Sequence, residues 1–553
     1  MTLLHDDLID GVRTIWVDSG RPTLAATLLF RAGSADETLA SSGWLHLLEH
    51  LALHGRDRGS LHANGSVAPL LTTFMLHGPP EQVCEALRDL TSWLAAPDVR
   101  ELDRERRVLA VEEATRQGGG PVGRAFGMRY GALGPGLVSS ATPGLGRASA
   151  DSLAELARQV FVTGNAALAL DGPPPGGLAL ALPPGDRLPV RAAVPVEDPQ
   201  AVYVEPAGLV VSGLVPRSST NTLVAPVVEE ALRRQLRDRD GAAYSPYSVY
   251  EGVDEHHALV VAGSDVSPST APSLLGNTLD LLDGLARNGP DPASLRDIVD
   301  KIKQAYTDPY NVGGLAHRAA ALTLQDLEPQ ELDEVIAELD AATPESLVPG
   351  LVELRDTVLM GAPPATAPHT RLRTVEQPYV AERARGGRSA NWPGDTSRLH
   401  VDEHDLVIGD SGVVRRYALA EVAGYLTWGT GARQLVLQDG WSFTLVPEVW
   451  AKGERHVSRL DAVLPAYLHL PQPDDTAPTA EARAGAVQRW GVAAQRERRW
   501  IFAGLILLAL LAGGWVLAEA VGGMPDRAAS RIIPFLLIGL FLRLVMAIAD
   551  GRL

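Results

Sequence analysis

The stretch GWLHLLEHLALHG, residues 43–55, decides how this chain is read. On a helix, His46 and His50 lie four residues apart and stack on one face. Glu49 follows His46 at a spacing of three, so the same turn also carries a carboxylate. Leu45, Leu48 and Leu51 give the helix an apolar face, Ser41 and Ser42 are candidate caps, and Gly43 lies near its start. Two imidazoles at this spacing suit a divalent metal, because neutral imidazole binds zinc at about 2.0–2.1 Å. Glu49 is placed to take a proton rather than to ligate. The plain alternative is a pair of core or surface histidines on a leucine-rich helix. His54, His62 and His77 show that histidine is not rare in this region.

A second helix, ELDRERRVLAVEEATR over residues 101–116, makes the metal reading stronger. A catalytic zinc site needs a third protein ligand and one open position. Glu105 and Glu112 are seven residues apart, on one helix face two turns on. Glu112 is the candidate ligand, and Glu105 is placed to orient a ligand histidine from behind. Glu113 competes with Glu112 but points about 100° away.

His46-x-x-Glu49-His50 is the inverted form of the metalloprotease motif. With RAGSADETLASSGWLHLLEHLALHG (31–55), Asn64, and Thr72 and Phe74 in a Thr-x-Phe strand, the chain resembles the pitrilysin-type zinc peptidases. This inverzincin family, M16, includes the two-domain processing peptidases. The resemblance implies that His46, His50 and Glu112 hold Zn2+, that Glu49 is the base, and that Glu105 supports the ligands. It also puts Asn64, Thr72 and Phe74 on a substrate strand or rim. Sixty-one residues separate His50 and Glu112, fewer than the family usually has, and the shortfall lies largely between His50 and Asn64. LRRQLRDRDGAAYS matches a second family block, which implies that Arg237 and Tyr244 face the substrate. By composition alone, Arg237 would be a solvated charge.

The resemblance covers residues 18–345, one two-domain unit of a family whose full-size members close two such units around a peptide. It therefore implies a homodimer, or a heterodimer with a related subunit. Arg237 and Tyr244 would then serve the other subunit's site. The implied activity is zinc-dependent endopeptidase action on peptides or unfolded protein segments. A non-catalytic, membrane-anchored scaffold or partner subunit of the same fold is the alternative.

Composition bounds the rest. A length of 553 residues requires several domains. A net charge of −18 argues against nucleic acid as a partner. The single cysteine, Cys84, excludes a disulfide framework and a thiolate zinc site. The first residues, MTLLHDDLIDGVRTIW, carry acids where an export signal has lysine or arginine.

Strands and helices alternate through both halves of residues 1–348, predicting an α+β fold with a weak internal duplication. The expected order is a peptidase domain over 1–190, a second α+β domain over 191–348, and a linker or irregular region over 349–400. A small β-rich domain follows over 401–470, marked by the Asp439-Gly440 hairpin cue and weakly resembling a pleckstrin-homology arrangement. DAVLPAYL, residues 461–468, is its candidate closing helix. A tether spans 471–499. Residues 500–521 and 532–549 are apolar runs; as a helix, 501–521 rises about 31 Å, enough to cross a bilayer. Flanking arginines predict a multi-pass membrane protein with both termini and the folded domains in the cytoplasm.

Overall fold

The structure, a computed structural model, describes residues 3–479 apart from 117–118, 240–244, 267–272, 309–310, 365 and 411. The two apolar runs at 500–521 and 532–549 lie outside the described residues, as does Tyr244. Among the described residues no helix is long and apolar enough to cross a membrane.

The first domain contains β1 (His5–Ile9), β2 (Val12–Trp16), β3 (Leu24–Phe30), α1 (Trp44–Leu53), β4 (His62–Val67) and β5 (Thr72–Gly78). Helices α2 (Pro80–Ala95), α3 (Leu102–Arg116), α4 (Gly120–Tyr130) and α5 (Ala150–Val160) precede β6 (Ala166–Leu170). Its sheet runs β1-β2-β6-β3-β5-β4. Only the β2–β6 pair is parallel.

The second domain contains β7 (Ala201–Val204), β8 (Leu209–Pro216), α6 (Val224–Leu232), β9 (Tyr247–Gly252) and β10 (His257–Ser264). Then come α7 (Leu274–Asn288), α8 (Pro292–Thr307), α9 (Gly313–Leu324), α10 (Leu332–Asp340), α11 (Pro344–Asp356), β11 (Leu359–Ala362) and β12 (Arg373–Thr374). Its sheet runs β12-β7-β11-β8-β10-β9. Five strands therefore repeat the first domain's order, β2-β6-β3-β5-β4 becoming β7-β11-β8-β10-β9, with the β7–β11 pair again parallel. The duplication suggested by the sequence is present in the topology, and α6 occupies the place of α1.

Strand alternation explains how the halves hold together. In β3, Leu24, Ala26, Leu28 and Phe30 face one side and meet Leu47, Leu48 and Leu51 of α1, Leu87 and Leu90 of α2, and Leu153 of α5. The opposite face, with Ile15, Val17, Leu29, Ala167 and Ala169, is covered by Leu315, Ala316, Ala319 and Ala320 of α9, a helix of the second domain. The return exchange comes from α4. Its Ala125, Phe126 and Tyr130 cover Val210, Leu259 and Val261 on the second sheet. Each sheet's second face is thus buried by a helix of the other domain. Arg124 of α4 adds a bidentate ion pair to the buried Glu205, with Nε–Oε2 at 2.5 Å and Nη2–Oε1 at 2.6 Å.

Leu315→Ala is accordingly expected to destabilise the fold by about 2–5 kcal/mol. Both sheets should melt together in a urea titration followed by hydrogen exchange. A loss confined to the second sheet would show that α9 does not couple them.

Residues 349–400, expected as a linker or irregular region, are irregular over much of their length but also carry regular elements of the second domain. They include the end of α11, the central strand β11 and the edge strand β12. All four residues of β11, LMGA, are buried. A strand buried on both faces has no alternation to read. The β-rich domain also begins earlier than expected. Strands β13 (Gly387–Arg388), β14 (Arg398–Val401), β15 (Asp405–Gly409) and β16 (Val414–Ala418) form one four-stranded sheet. Strands β17 (Val422–Thr427), β18 (Arg433–Leu437) and β19 (Ser442–Leu445) form another with β20 (His469–Pro471). The helix of this domain is α12 (Gly453–Val463), centred upstream of the expected 461–468, where the chain instead turns at Pro465.

The β-rich domain seats directly on the first domain. Ala132 N donates to Gln438 O at 3.0 Å, Gln472 Nε2 donates to Pro143 O at 2.9 Å, and Leu39, Leu137 and Leu470 share a core. It therefore braces the loops that lead into α1.

Candidate metal centre

Helix α1 begins at Gly43, whose φ of +85° is open to glycine at little cost. A side chain there would also strike Thr142, with Cβ 2.8 Å from Thr142 Cβ. The serines expected as caps do not cap. Ser42 Oγ donates to Leu39 O at 2.9 Å and accepts from Gly144 N at 3.1 Å. The capping group is Glu37, whose carboxylate accepts from Gly43 N at 2.9 Å and Leu45 N at 2.8 Å. Burial pushes Glu37 up to about 8, against the pull of these backbone donors. Trp44 Nε1 donates to Gly144 O at 2.9 Å and fixes the helix from the other side.

On this anchored helix the ligating atoms of His46, Glu49 and His50 all lie within 4.8 Å of one another, a group able to hold a metal ion. The two imidazoles sit edge to face with centroids 4.8 Å apart. Glu49 Oε2 is 3.4 Å from His46 Nε2, and Glu49 is buried. Helix α3 packs alongside and brings two more carboxylates. Glu112 Oε2 is 3.3 Å from His50 Nε2, and Glu105 Oε2 is 3.4 Å from His50 Nδ1. Each ring nitrogen of His50 thus faces a different acid. A proton on Nδ1 toward Glu105 leaves the Nε2 lone pair directed at the Glu112 side, where a cation would sit.

Five residues named from the sequence, His46, Glu49, His50, Glu105 and Glu112, therefore converge in one place. Asn64 lies nearby on β4, the edge strand of the sheet, exposed and accepting a bond from Gly65 N at 2.9 Å. Thr72 and Phe74 do not fit a rim role through their side chains. Thr72 is fully buried and donates to Ala32 O at 2.8 Å, while Phe74 packs edge-on against Phe30 and Phe161 in the core. Strand β5 is interior, paired with β3 and β4, and its Thr72, Phe74 and Leu76 side chains are buried while Met75 and His77 on the other face are exposed. Arg237 is exposed on a π-helical turn, Arg233–Arg239, that extends α6. It lies on the second domain.

A side-chain pair and one glycine escaped the sequence reading. His54 Nδ1 lies 3.1 Å from Glu105 Oε1, so one carboxylate is shared by His50 and His54. Arg104 closes the group, with Nη1 at 2.7 Å from His54 Nδ1 and 3.3 Å from Glu105 Oε1. The signal for His54 was its spacing of four from His50. The glycine is Gly65. A Cβ placed there would lie 2.5 Å from Glu49 Oε1 and 2.7 Å from its Cγ. No pattern along the sequence reports that contact, because the packing of β4 on α1 creates it.

Gly65→Ala should therefore fold, since Gly65 is not in a left-handed conformation, while displacing the Glu49 carboxylate. A misplacement of about 1 Å at a reacting group costs on the order of 100-fold in rate. The check is turnover against Tm: a large fall in hydrolysis with a nearly unchanged melt is the expected result.

The comparison with solved structures shows the fold. No protein-family model matches the sequence, and no curated protein does. Solved structures do match. An M16 peptidase inactive domain from Pseudomonas fluorescens superposes with a TM-score of 0.54 at 14% identity, covering 68% of this chain and 100% of that one. A protease from Helicobacter pylori gives 0.55 at 17% identity, covering 66% and 100%. A chain of complex III2 from Candida albicans gives 0.53 at 12% identity, covering 65% and 95%. The chain thus has the mixed α+β fold of the M16 peptidases, a fold found both in proteases and within a large assembly.

Proposed function

We propose that this protein is a zinc-dependent endopeptidase acting on peptides or unfolded protein segments. The observation that carries the reading is the complete donor set: His46, Glu49 and His50 on one buried helix, with Glu112 and Glu105 presented to the two nitrogens of His50. Two neutral imidazoles and a carboxylate suit zinc in a catalytic site. His46, His50 and Glu112 would hold it. When bound, zinc supplies Lewis acidity that polarises the scissile carbonyl and makes water reactive near neutral pH.

The chain's own groups do the rest. Glu49 accepts a proton from the attacking water as its oxygen bonds to the carbonyl carbon. It then returns that proton to the amine as the C–N bond breaks. Glu105 fixes the His50 ring, and His54 and Arg104 fix Glu105. Strand β4 pairs only with β5 among the described residues, leaving one edge free beside Glu49. A peptide added to that edge as a further strand would run extended past the base. Folded substrates cannot offer such a strand, so the expected preference is for flexible segments.

The site on one chain lacks the second half that would enclose a peptide. We place Arg237 and Tyr244 over the site of a partner copy or related subunit, where a guanidinium and a phenol would stabilise the oxyanion. The apolar runs at 500–521 and 532–549 anchor the assembly in the cell membrane, with the folded domains cytoplasmic. The competing reading is a non-catalytic partner subunit; the intact donor set weighs against it.

The test is hydrolysis of an unfolded protein beside its folded form, with and without a chelator. Chelator-sensitive cleavage of the unfolded form alone is expected. The assembly is tested by mixing a Glu49→Gln chain with an Arg237→Ala/Tyr244→Phe chain. Each parent should be weak and the mixture should regain part of the activity, because one hybrid site has every group. Subunits that demonstrably exchange without rescue would refute the cross-subunit role.

A further inference from the structure

On the β-rich domain, strands β13 and β14 place Arg388 directly opposite Arg398. Like charges in that register repel. Four other arginines of the region are matched by acids: Arg371 with Asp283, Arg373 with Glu197, Arg416 with Glu382 and Arg433 with Asp461. Arg388 and Arg398 have no such partner among the described residues. They flank Trp392 instead, with guanidinium carbons 4.8 Å and 5.5 Å from its ring centroid. Trp392 is 39% exposed. Strand β13 is the edge of its sheet, and α12 packs beside it, close enough that a Cβ on Gly387 would meet His456 Nε2 at 2.7 Å. That helix and its entry add exposed Lys452, Arg455 and Arg459. Glu454 and the Arg433-paired Asp461 are the acids of that helix, Asp395 lies in the loop between Trp392 and Arg398, and Asp402 takes His400 at 3.5 Å. In a chain of net charge −18, this is a concentrated basic surface with an aromatic at its centre.

The chemistry of such a surface is specific. Guanidinium groups bind phosphates bidentately, and an exposed indole settles at the headgroup level of a bilayer. The sequence supplies the reason to choose a bilayer over another polyanion. Only 20 residues, 480–499, separate the described chain from the apolar run at 500. Fully extended they reach roughly 70 Å. We infer that the Arg388–Trp392–Arg398 face docks the β-rich domain on the anionic headgroup surface of the membrane that the tail enters. The inference rests on the proposed membrane tail and depends on none of the residues of the peptidase site. Because the β-rich domain also braces the loops before α1, docking would hold the metal-binding helix at a fixed height over the membrane.

The full chain can be tested in nanodiscs by hydrogen exchange over residues 385–400. In discs containing anionic lipid the segment should be protected relative to zwitterionic discs. Each arginine near such a surface is worth about fivefold in binding, so Arg388→Glu/Arg398→Glu should lower the docking equilibrium constant by at least about 25-fold. Exchange in β8 and β10 should not change, which controls for folding. Equal exchange in both kinds of disc would overturn the inference. So would protection that follows protein concentration rather than lipid, which would assign the patch to a second, acidic copy. Protection by inorganic phosphate in zwitterionic discs would reduce it to a small-anion site and overturn membrane docking.

Discussion

Glu49→Gln is expected to leave the metal bound and to lower hydrolysis by about 10²–10⁴-fold. Glutamine keeps the size of the side chain and can still contact His46, but it cannot accept the proton that an attacking water must lose. Glu49 is buried, with Gly65 pressed against its carboxylate, so no solvent carboxylate can replace it. The comparison that separates chemistry from structure is the zinc content and Tm of the variant, both of which should match the parent. A variant that retains most of its activity would remove Glu49 from the role of base.

The second large effect concerns metal affinity. His46→Ala, His50→Ala and Glu112→Ala should each abolish stoichiometric zinc binding, because a catalytic site has three protein ligands. Glu105→Ala should be milder, about 10–100-fold in affinity, since it acts only on the orientation of His50. The ranking matters more than any single value. Glu112 sits 3.3 Å from His50 Nε2, on the side where a ligand must be, whereas Glu105 sits behind the ring at Nδ1. A chelator competition titration measures both classes. If Glu105→Ala removed zinc and Glu112→Ala did not, the assignment of ligand and support would have to be exchanged.

The pentad and the acidic helix were legible in the sequence because helical spacing alone fixes which side chains share a face. His46, Glu49 and His50 need only 3.6-residue periodicity, and Glu105 and Glu112 only a repeat of seven. The helix over 101–116 was legible for the same reason. What could not be read is what tertiary pairing creates. Strand β4, HANGSV, is polar and lies at a sheet edge, so it shows no apolar alternation. Helices α4 and α9 are short of charge patterning and rich in Gly and Ala, because each is buried against the other domain's sheet. Glu37 caps α1 from outside the helix, and nearer serines were the more obvious candidates. Phe74, placed on a strand by its motif, lies on β5 with its side chain buried in the core.

The central claim is that His46, His50 and Glu112 hold a zinc ion that the reaction requires. The most direct measurement is reconstitution: metal is removed from the purified chain with a chelator, zinc is titrated back, and hydrolysis of an unfolded protein is followed. The account predicts that activity rises in proportion to zinc and levels off at about one equivalent per chain. A chain that takes up no zinc, or that cleaves equally well without it, would contradict the account.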